Sequence, residues 1–288
     1  MKDTEREQAM EQLDYQDVLI SVANPETAKQ LVTLAHFITP PGATFHIMNV
    51  TKSRSLPERG RSWRKGADLV MEITHHARRL GRVTKPIAAT ADSIPNSIVE
   101  AADELEAGLL VMGWFGRITP VAVRRSSVVN KVLHRAPCDV AVLKSRTDLN
   151  QINKVVMPVV PDNPRYKRLA LLDKFLSMSE AEGELIHVVT PDSGMSPEEI
   201  AERLQELASL MRNSVQTRLV QANSILDGLL DGSKEADLVL VGPGREWIFD
   251  RFLFGRTADN LTNRLDSSVV MFKSQEHKMV AWSRGLMK

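Results

Sequence analysis

The residues of this sequence that could do chemistry gather in two glycine-bearing stretches. In GWFGRITPVAVRRSS, Gly113 and Gly116 frame a tight turn, and nine residues separate Gly116 from Ser126 and Ser127. A second stretch, opening at EADLVLVGPGRE, supplies Gly242, Gly244, Gly255 and Thr257. Glycine has no Cβ, so backbone N–H groups beside it can close on an anion, and a hydroxyl adds a further donor. The candidate cofactor-binding residues are therefore Gly113, Gly116, Arg117, Ser126 and Ser127, with Gly242, Gly244, Gly255 and Thr257 as the weaker set. Arg117, Arg124 and Arg125 accompany the first stretch, and Arg245, Arg251 and Arg256 the second. Such cationic forks suit phosphate or carboxylate. The plainer reading is a solvated rim whose ion pairs contribute little.

No catalytic or metal set accompanies these loops. His75 and His76 are adjacent and so do not share a helix face as an i,i+4 metal pair would. His46 and His187 fall in corresponding strands, which fits duplication better than a proton relay. Ser126 and Ser127 lack the strand-to-helix elbow of a serine nucleophile. Cys138, the one cysteine, cannot form an internal disulfide and reads as a buried thiol in a reducing compartment. The expectation is no enzyme, no metal and no resident cofactor. The basic run Arg54, Arg59, Arg61, Arg64 and Lys65, with Pro57 and Trp63 inside it, reads as a surface loop, with anionic lipid or a partner as the sharper alternative. Trp247, Phe249, Phe252 and Phe254 form an apolar cluster that could fill a cleft, make an interface or pack in a core.

The elements that must position the loops alternate strand and helix. From Asp17, DVLISV is a short apolar run of the kind covered on both faces. Asn24 and Pro25 then open a helix through Ile38, stopped by Pro40 and Pro41. TFHIMNV, a helix from about Ala67 to Leu80, TKPIAA, a helix through IVEAADEL, GLLVMG, a helix from Val121 to His134 and DVAVLKS complete a five-strand unit. That alternation implies a parallel sheet with helices on both faces. The order then recurs: a strand from Lys154 to Val160, a helix from Lys167 to Met178, GELIHVV, a helix capped by Ser196 and running to about Asn213, TRLVQA, a short helix at Ile225 to Leu230, DLVLVG, a helix after Arg256 and SSVVMFKS. EAGLLVMGWFGR answers EADLVLVGPGRE, HIMNVTK answers LIHVVTP, and APCDVAVLKS answers LDSSVVMFKS. The same offset separates Gly113 from Gly242 and Lys144 from Lys273, as a tandem duplication requires. The division expected is a charged segment 1–16, a first domain 17–147, a second domain 152–274 and a tail 275–288. The apolar fifth strands VAVLK and SVVMFK need covering, and an internal pseudo-two-fold pair would cover each with the other.

The segment from Val111 to Lys144 resembles the closing part of the universal stress protein family, whose signature is glycine, two residues, glycine, nine residues, then glycine with serine or threonine. The resemblance runs from Asp17 to Lys273. It implies two five-stranded parallel-sheet α/β sandwiches of the adenine nucleotide alpha hydrolase-like class, a unit that often pairs through its fifth strand and in many members binds ATP. The signature is incomplete in both halves. Ser126 replaces the third glycine in the first, while Arg245 and Arg256 stand at the middle glycine and hydroxyl positions in the second. The family's aspartate after the first strand corresponds to Ala23 and to Val160, with Asp162 two residues on as a substitute after a loop shift. Losing one charged hydrogen bond costs about 1.5–3 kcal/mol, or about one to two decades of affinity.

At 288 residues and a net charge of +1, the chain has the totals of a globular protein and no polybasic character for nucleic acid. No stretch approaches the about 20 apolar residues that cross a bilayer. Two readings stand. Degenerate pairs of such units resemble the cytosolic tails of secondary transporters of the amino acid and cation-chloride cotransporter type, which implies a regulatory, dimerising domain at the cytoplasmic face of its own membrane part. The other reading is a free-standing tandem stress protein that binds ATP through Gly113, Gly116 and Ser127.

Overall fold

The computed structural model describes residues 13–53, 56–114, 128–242 and 264–275. Its first half runs β1 (Asp17–Ser21), α1 (Pro25–Ile38), β2 (Thr44–Lys52), α2 (Leu56–Arg79), β3 (Val83–Ala91), α3 (Ile94–Glu104), β4 (Leu109–Gly113), α4 (Val128–Arg135) and β5 (Asp139–Lys144). After a short turn of 3-10 helix at Leu149–Gln151, the second half runs β6 (Lys154–Pro158), α5 (Tyr166–Met178), β7 (Glu182–Val189), α6 (Pro197–Ala208), β8 (Val215–Gln221), α7 (Ile225–Gly232), β9 (Leu238–Val241) and β10 (Ser268–Lys273).

Helix starts follow local chemistry. Asn24 accepts the Glu26 amide ahead of Pro25, and Ser196 and Ser224 accept the amides of Glu199 and Asp227. Each side chain satisfies a donor that a helix N-terminus leaves open. The far end of α1 is closed by Arg82, which is buried yet fully engaged. It donates to His36 Nδ1 at 2.8 Å, to the His36 carbonyl at 2.7 Å and to the Pro40 carbonyl, with its guanidinium 5.0 Å from the Phe45 ring centre. A cation on the last carbonyls of a helix sits where the backbone dipole favours it.

All ten strands form one sheet in the order β3-β2-β1-β4-β5-β10-β9-β6-β7-β8. Neighbours within each half are parallel, and the halves meet through β5 and β10, antiparallel, with Val270 opposite Leu143 and Met271 opposite Val142. Each fifth strand is thus covered by the other, as the internal pseudo-two-fold pair requires. Small polar contacts repeat across the same axis. Ser268 Oγ accepts the amides of Arg146 and Thr147, and Asp139 accepts the amide of Gln275 at 2.6 Å. Lys144 donates to the Leu265 carbonyl, and Lys273 to the Leu133 carbonyl.

Strand residues alternate between two cores. Val18, Ile20, Phe45 and Ile47 belong to the core that also contains residues of α1, α2, α5 and α6, whereas Leu19, Met48 and Leu110 belong to the core that contains residues of α3 and α4. Both cores contain residues of both halves, so the repeats share a hydrophobic interior. On the first face α1 and α5 pack together, with Phe37 and Phe175 edge to face at 5.2 Å between ring centres. Such a pair adds about 0.5–1.5 kcal/mol beyond its burial.

Three expectations change. The basic stretch expected as a loop is helical from Leu56, which lengthens α2 by about three turns. Arginine, lysine and glutamate are good helix formers and proline is tolerated in a first turn, so the run propagates through Gly60 and Gly66. The helix expected to reach Asn213 ends at Ala208, and Asn213 is instead bound to the Asp173 carboxylate and carbonyl at 2.8–2.9 Å. Leu13 and Tyr15, expected in a linker, are buried. The first turns of the helices expected from Val121 and after Arg256 lie outside the described residues.

Candidate functional site

In a sheet of this kind ligands sit beyond the carboxyl ends of the strands, between the loop after the first strand and the loop after the fourth. The first-half cleft is bounded by Ser21, Ala23 and the α1 N-terminus on one side and by Gly113, the last residue of β4, on the other. Gly113 lies opposite Leu143 in register, and the next amide, Trp114 N–H, donates to the Leu143 carbonyl at 2.8 Å. Gly116, Arg117, Ser126 and Ser127 lie outside the described residues, as do Arg124 and Arg125. Where the family's nucleoside-binding aspartate belongs, Ala23 offers no acceptor beyond its backbone.

The second-half cleft is bounded by Val159 and Val160 after β6, by the α5 N-terminus and by Gly242 at the end of β9. Gly244, Gly255 and Thr257 lie outside the described residues, together with Arg245, Arg251, Arg256 and the cluster Trp247, Phe249, Phe252 and Phe254. Val160 is 53% exposed and carries no polar side chain. Asp162, the proposed substitute for the aspartate, is bound to Arg203, which also holds Glu199 at 2.8 Å. Its carboxylate is thus committed to α6.

Arg168 is the residue of this cleft that sequence reasoning missed. It projects from the first turn of α5 and lays its guanidinium on Gly242. A Cβ built there would stand 2.6 Å from one guanidinium nitrogen and 2.8 Å from the central carbon. Only glycine leaves this room. Burial, with the nearby charge of Arg165, lowers the Arg168 pKa to about 10. One signal was present in the sequence. The start of α5 carries Arg165, Lys167 and Arg168 and no acid, whereas α1, α6 and α7 place acids in their first turns. Cations at a helix N-terminus oppose its dipole by about 0.3–1 kcal/mol each. Lys167 is neutralised by Asp139 at 3.1 Å; Arg168 has no acidic partner among the described residues.

The histidines serve the fold. His187 Nδ1 bonds the Val159 carbonyl at 2.8 Å, and in the first half Asn49 Nδ2 donates to the corresponding Val22 carbonyl at 2.7 Å. His187 therefore answers Asn49, not His46. His46 pairs with Asp17 at 2.6 Å across β1 and β2, where the second half has Glu184 with Lys154 at 3.1 Å. His75 and His76 lie on α2, with His76 Nδ1 3.3 Å from Arg79. Burial pushes the Cys138 thiol up to about 12, the opposite of what a nucleophilic thiolate requires. No group of three His, Cys, Asp or Glu among the described residues could hold a metal ion.

These clefts, on a fold of this topology, sit in recognisable company. Residues 14–144 match the Universal stress protein family. The second half repeats the strand order of the first. The universal stress protein of Archaeoglobus fulgidus DSM 4304 superposes with a TM-score of 0.67 at 16% identity, over 90% of this chain and 97% of that one. The cytoplasmic domain of a prokaryotic cation chloride cotransporter superposes with a TM-score of 0.61 at 13% identity, over 92% of this chain and 98% of that domain. In sequence, the Na(+)/H(+) antiporter NhaS5 of Synechocystis sp. is 21% identical over 268 residues. That alignment takes in 88% of this chain and 38% of the antiporter, so the chain spans well under half of that relative. Among the described residues no helix is long and apolar enough to cross a membrane.

Proposed function

We propose that this chain is a non-catalytic regulatory and assembly domain of a secondary transporter, built from two universal stress protein repeats and working at the cytoplasmic face of the membrane. The observation that carries the reading is how the incoming segment is held. Leu13 is buried and its carbonyl accepts from Lys174 of α5 at 3.0 Å. The Tyr15 hydroxyl donates to Asp139 at 2.7 Å, and Asp139 also binds Lys167 of α5. A membrane part joined ahead of Leu13 would pull directly on the junction of the two repeats, through one helix of the second and one strand of the first. The relation to NhaS5 and the likeness to the cotransporter domain support attachment of this kind.

Neither cleft favours a resident nucleotide. Ala23 supplies no carboxylate to a ribose, and Arg168 occupies the space above Gly242 in the second. The competing reading, an adenine-nucleotide binder, keeps one support in Gly113, which ends β4 where the signature places it. The β5 and β10 edges are spent on each other, so a homodimer through this domain would use the outer edges β3 and β8 or a helical face.

Calorimetric titration with MgATP tests the choice. No heat up to millimolar nucleotide is expected, while micromolar binding abolished by Gly116→Arg would overturn the regulatory reading in favour of the nucleotide one. In proteoliposomes, the transporter carrying Asp139→Ala is expected to keep transport while its regulation changes; an unaltered dependence on ions and pH would count against the clamp.

A further inference from the structure

The basic stretch singled out in the sequence is the first part of α2, and it stands clear of the body of the protein. The inner face of α2 is a stripe spaced alternately by four and three: Gly66, Val70, Ile73 and Ala77 are all buried. Gly66 marks where the body ends, because its backbone packs so closely on Asn49 Oδ1 and Thr51, late in β2, that a Cβ would not fit. Residues 60–65 lie beyond that point, and all but the partly covered Ser62 are exposed. The next position on the inner stripe is Trp63, three residues ahead of Gly66, and it is 46% exposed. The apolar stripe thus runs on past the strand that covers it. Arg61, Arg64 and Lys65 share these turns, no acid falls between Gly60 and Ala67, and none of the three cations is ion-paired among the described residues. Cations on and beside the rest of α2 are engaged: Lys29 of α1 with Glu72, Arg78 with Thr84 and Arg79 with His76.

We propose that this overhanging part of α2 is a docking surface for an anionic lipid bilayer. Tryptophan favours the boundary between headgroups and acyl chains, and the neighbouring arginines and lysine meet the negative charge of the headgroups. Each cation near an anionic leaflet is worth about 1 kcal/mol, a factor of about 5 in binding. Shape favours lipid over an acidic protein. Residues 60–65 are a projecting length of helix exposed on nearly all sides, whereas a protein interface packs its central aromatic into a complementary, desolvated pocket. A fluid leaflet closes around a projecting ring and asks only for opposite charge. Leu13 and Tyr15, by contrast, precede β1 at the amino ends of the strands, where the Gln16 carbonyl accepts the Thr44 amide. The lipid surface lies at the other end, next to the close of β2, so it is separate from the clamp on the incoming segment. Failure of lipid binding leaves attachment to a transporter intact, and the converse holds.

The experiment sediments the full chain with vesicles of phosphatidylcholine alone or of phosphatidylcholine mixed with phosphatidylserine, and follows tryptophan quenching by brominated acyl chains. Binding is expected only to the mixed vesicles, and it should fall as salt is raised, because exposed charges are screened. Arg61→Gln combined with Arg64→Gln should weaken it by about 25-fold, two cations at about 5-fold each, while glutamine preserves the helix. Lys131→Gln combined with Lys234→Gln makes the same change in net charge at exposed positions in α4 and after α7, and should leave binding unchanged. Trp63→Phe should remove most of the quenching, with the far-ultraviolet circular dichroism of the wild type retained. The proposal is overturned if mixed vesicles do not carry the chain down, if phosphatidylcholine alone does so equally, if the lysine pair matters as much as the arginine pair, or if quenching survives Trp63→Phe. A chain that ignores vesicles but binds polyglutamate through Arg61 and Arg64 would overturn it in favour of an acidic protein.

Discussion

Asp139 is the point at which the two repeats and the incoming segment are tied, and removing its carboxylate gives the sharpest stability prediction. It is 3% exposed and accepts from three parts of the chain: Tyr15 Oη at 2.7 Å, Lys167 Nζ at 3.1 Å and the Gln275 amide at 2.6 Å. Asp139→Ala strands a lysine, a buried hydroxyl and an amide together, and should cost about 3–5 kcal/mol, the range for breaking a buried ion pair from one side. Tyr15→Phe removes one hydrogen bond to a charged acceptor and should cost about 1.5–3 kcal/mol. Against a total stability of about 5–15 kcal/mol for an ordinary domain, either change is easily measured. The assay is urea unfolding followed by far-ultraviolet circular dichroism. Both cores contain residues of both halves, so one cooperative transition is expected. If Tyr15 and Lys167 act through the same carboxylate, a cycle of Tyr15→Phe and Lys167→Met should show coupling of about 0.5–3 kcal/mol. The pH dependence has a definite sign. Burial and Asp139 raise the Tyr15 pKa well above its usual value, so its contribution is complete below about pH 10 and is lost as pH rises beyond that. The gap between wild type and Tyr15→Phe should therefore close at alkaline pH. Additivity in the cycle within about 0.5 kcal/mol, or two separate unfolding transitions, would refute the reasoning.

Two further outcomes follow from single side chains. Burial works to raise the Glu184 pKa, but the hydrogen bonds and charges of Arg218, at 2.6 and 3.1 Å, and of Lys154 prevail and hold it below the usual glutamate value. Its stabilisation is therefore present above about pH 4.3 and lost as pH falls through the lower folded value, so Glu184→Gln should flatten the acid limb of a stability–pH curve. Cys138, buried with its pKa at about 12, should resist alkylation in native protein at neutral pH and react fully in denaturant; rapid native labelling would contradict its placement.

The strand and helix order was legible because hydrophobic runs, caps and prolines act locally. Asn24, Pro25, Ser196 and Pro197 mark helix starts by chemistry that needs no tertiary partner. The length of α2 was not legible because its basic run reads as a surface loop, although most of its residues favour helix. Leu13 and Tyr15 were hidden among charges, since a two-residue alternation is too short to announce burial. Arg168 was legible only as one of three cations at a helix start without an acid. Its contact with Gly242, far along the chain, depends on the tertiary fold and leaves no local trace.

The comparison of the two halves shows which demands the duplication kept. Across β1 and β2 an acid in the first strand, Asp17, meets a base in the second, His46; across β6 and β7 the base is Lys154 and the acid Glu184. The pair has survived with its acid and base exchanged between strands, and this is expected if the requirement is a complementary contact that holds strand register, because either arrangement meets it. The same logic covers Asn49 and His187, unlike in shape but each donating a ring or amide N–H to the corresponding carbonyl. A ligand is less tolerant. A phosphate needs positive donors and a ribose needs an acceptor, so a cleft that still bound one nucleotide would keep one polarity in both copies. Instead the second cleft has gained the Arg168 cation, and neither cleft holds the family's carboxylate at Ala23 or Val160. The scaffold contacts vary within a constraint, while the clefts vary in the constraint itself, so the sheet and its junction, more than a shared nucleotide, are what the two repeats hold in common.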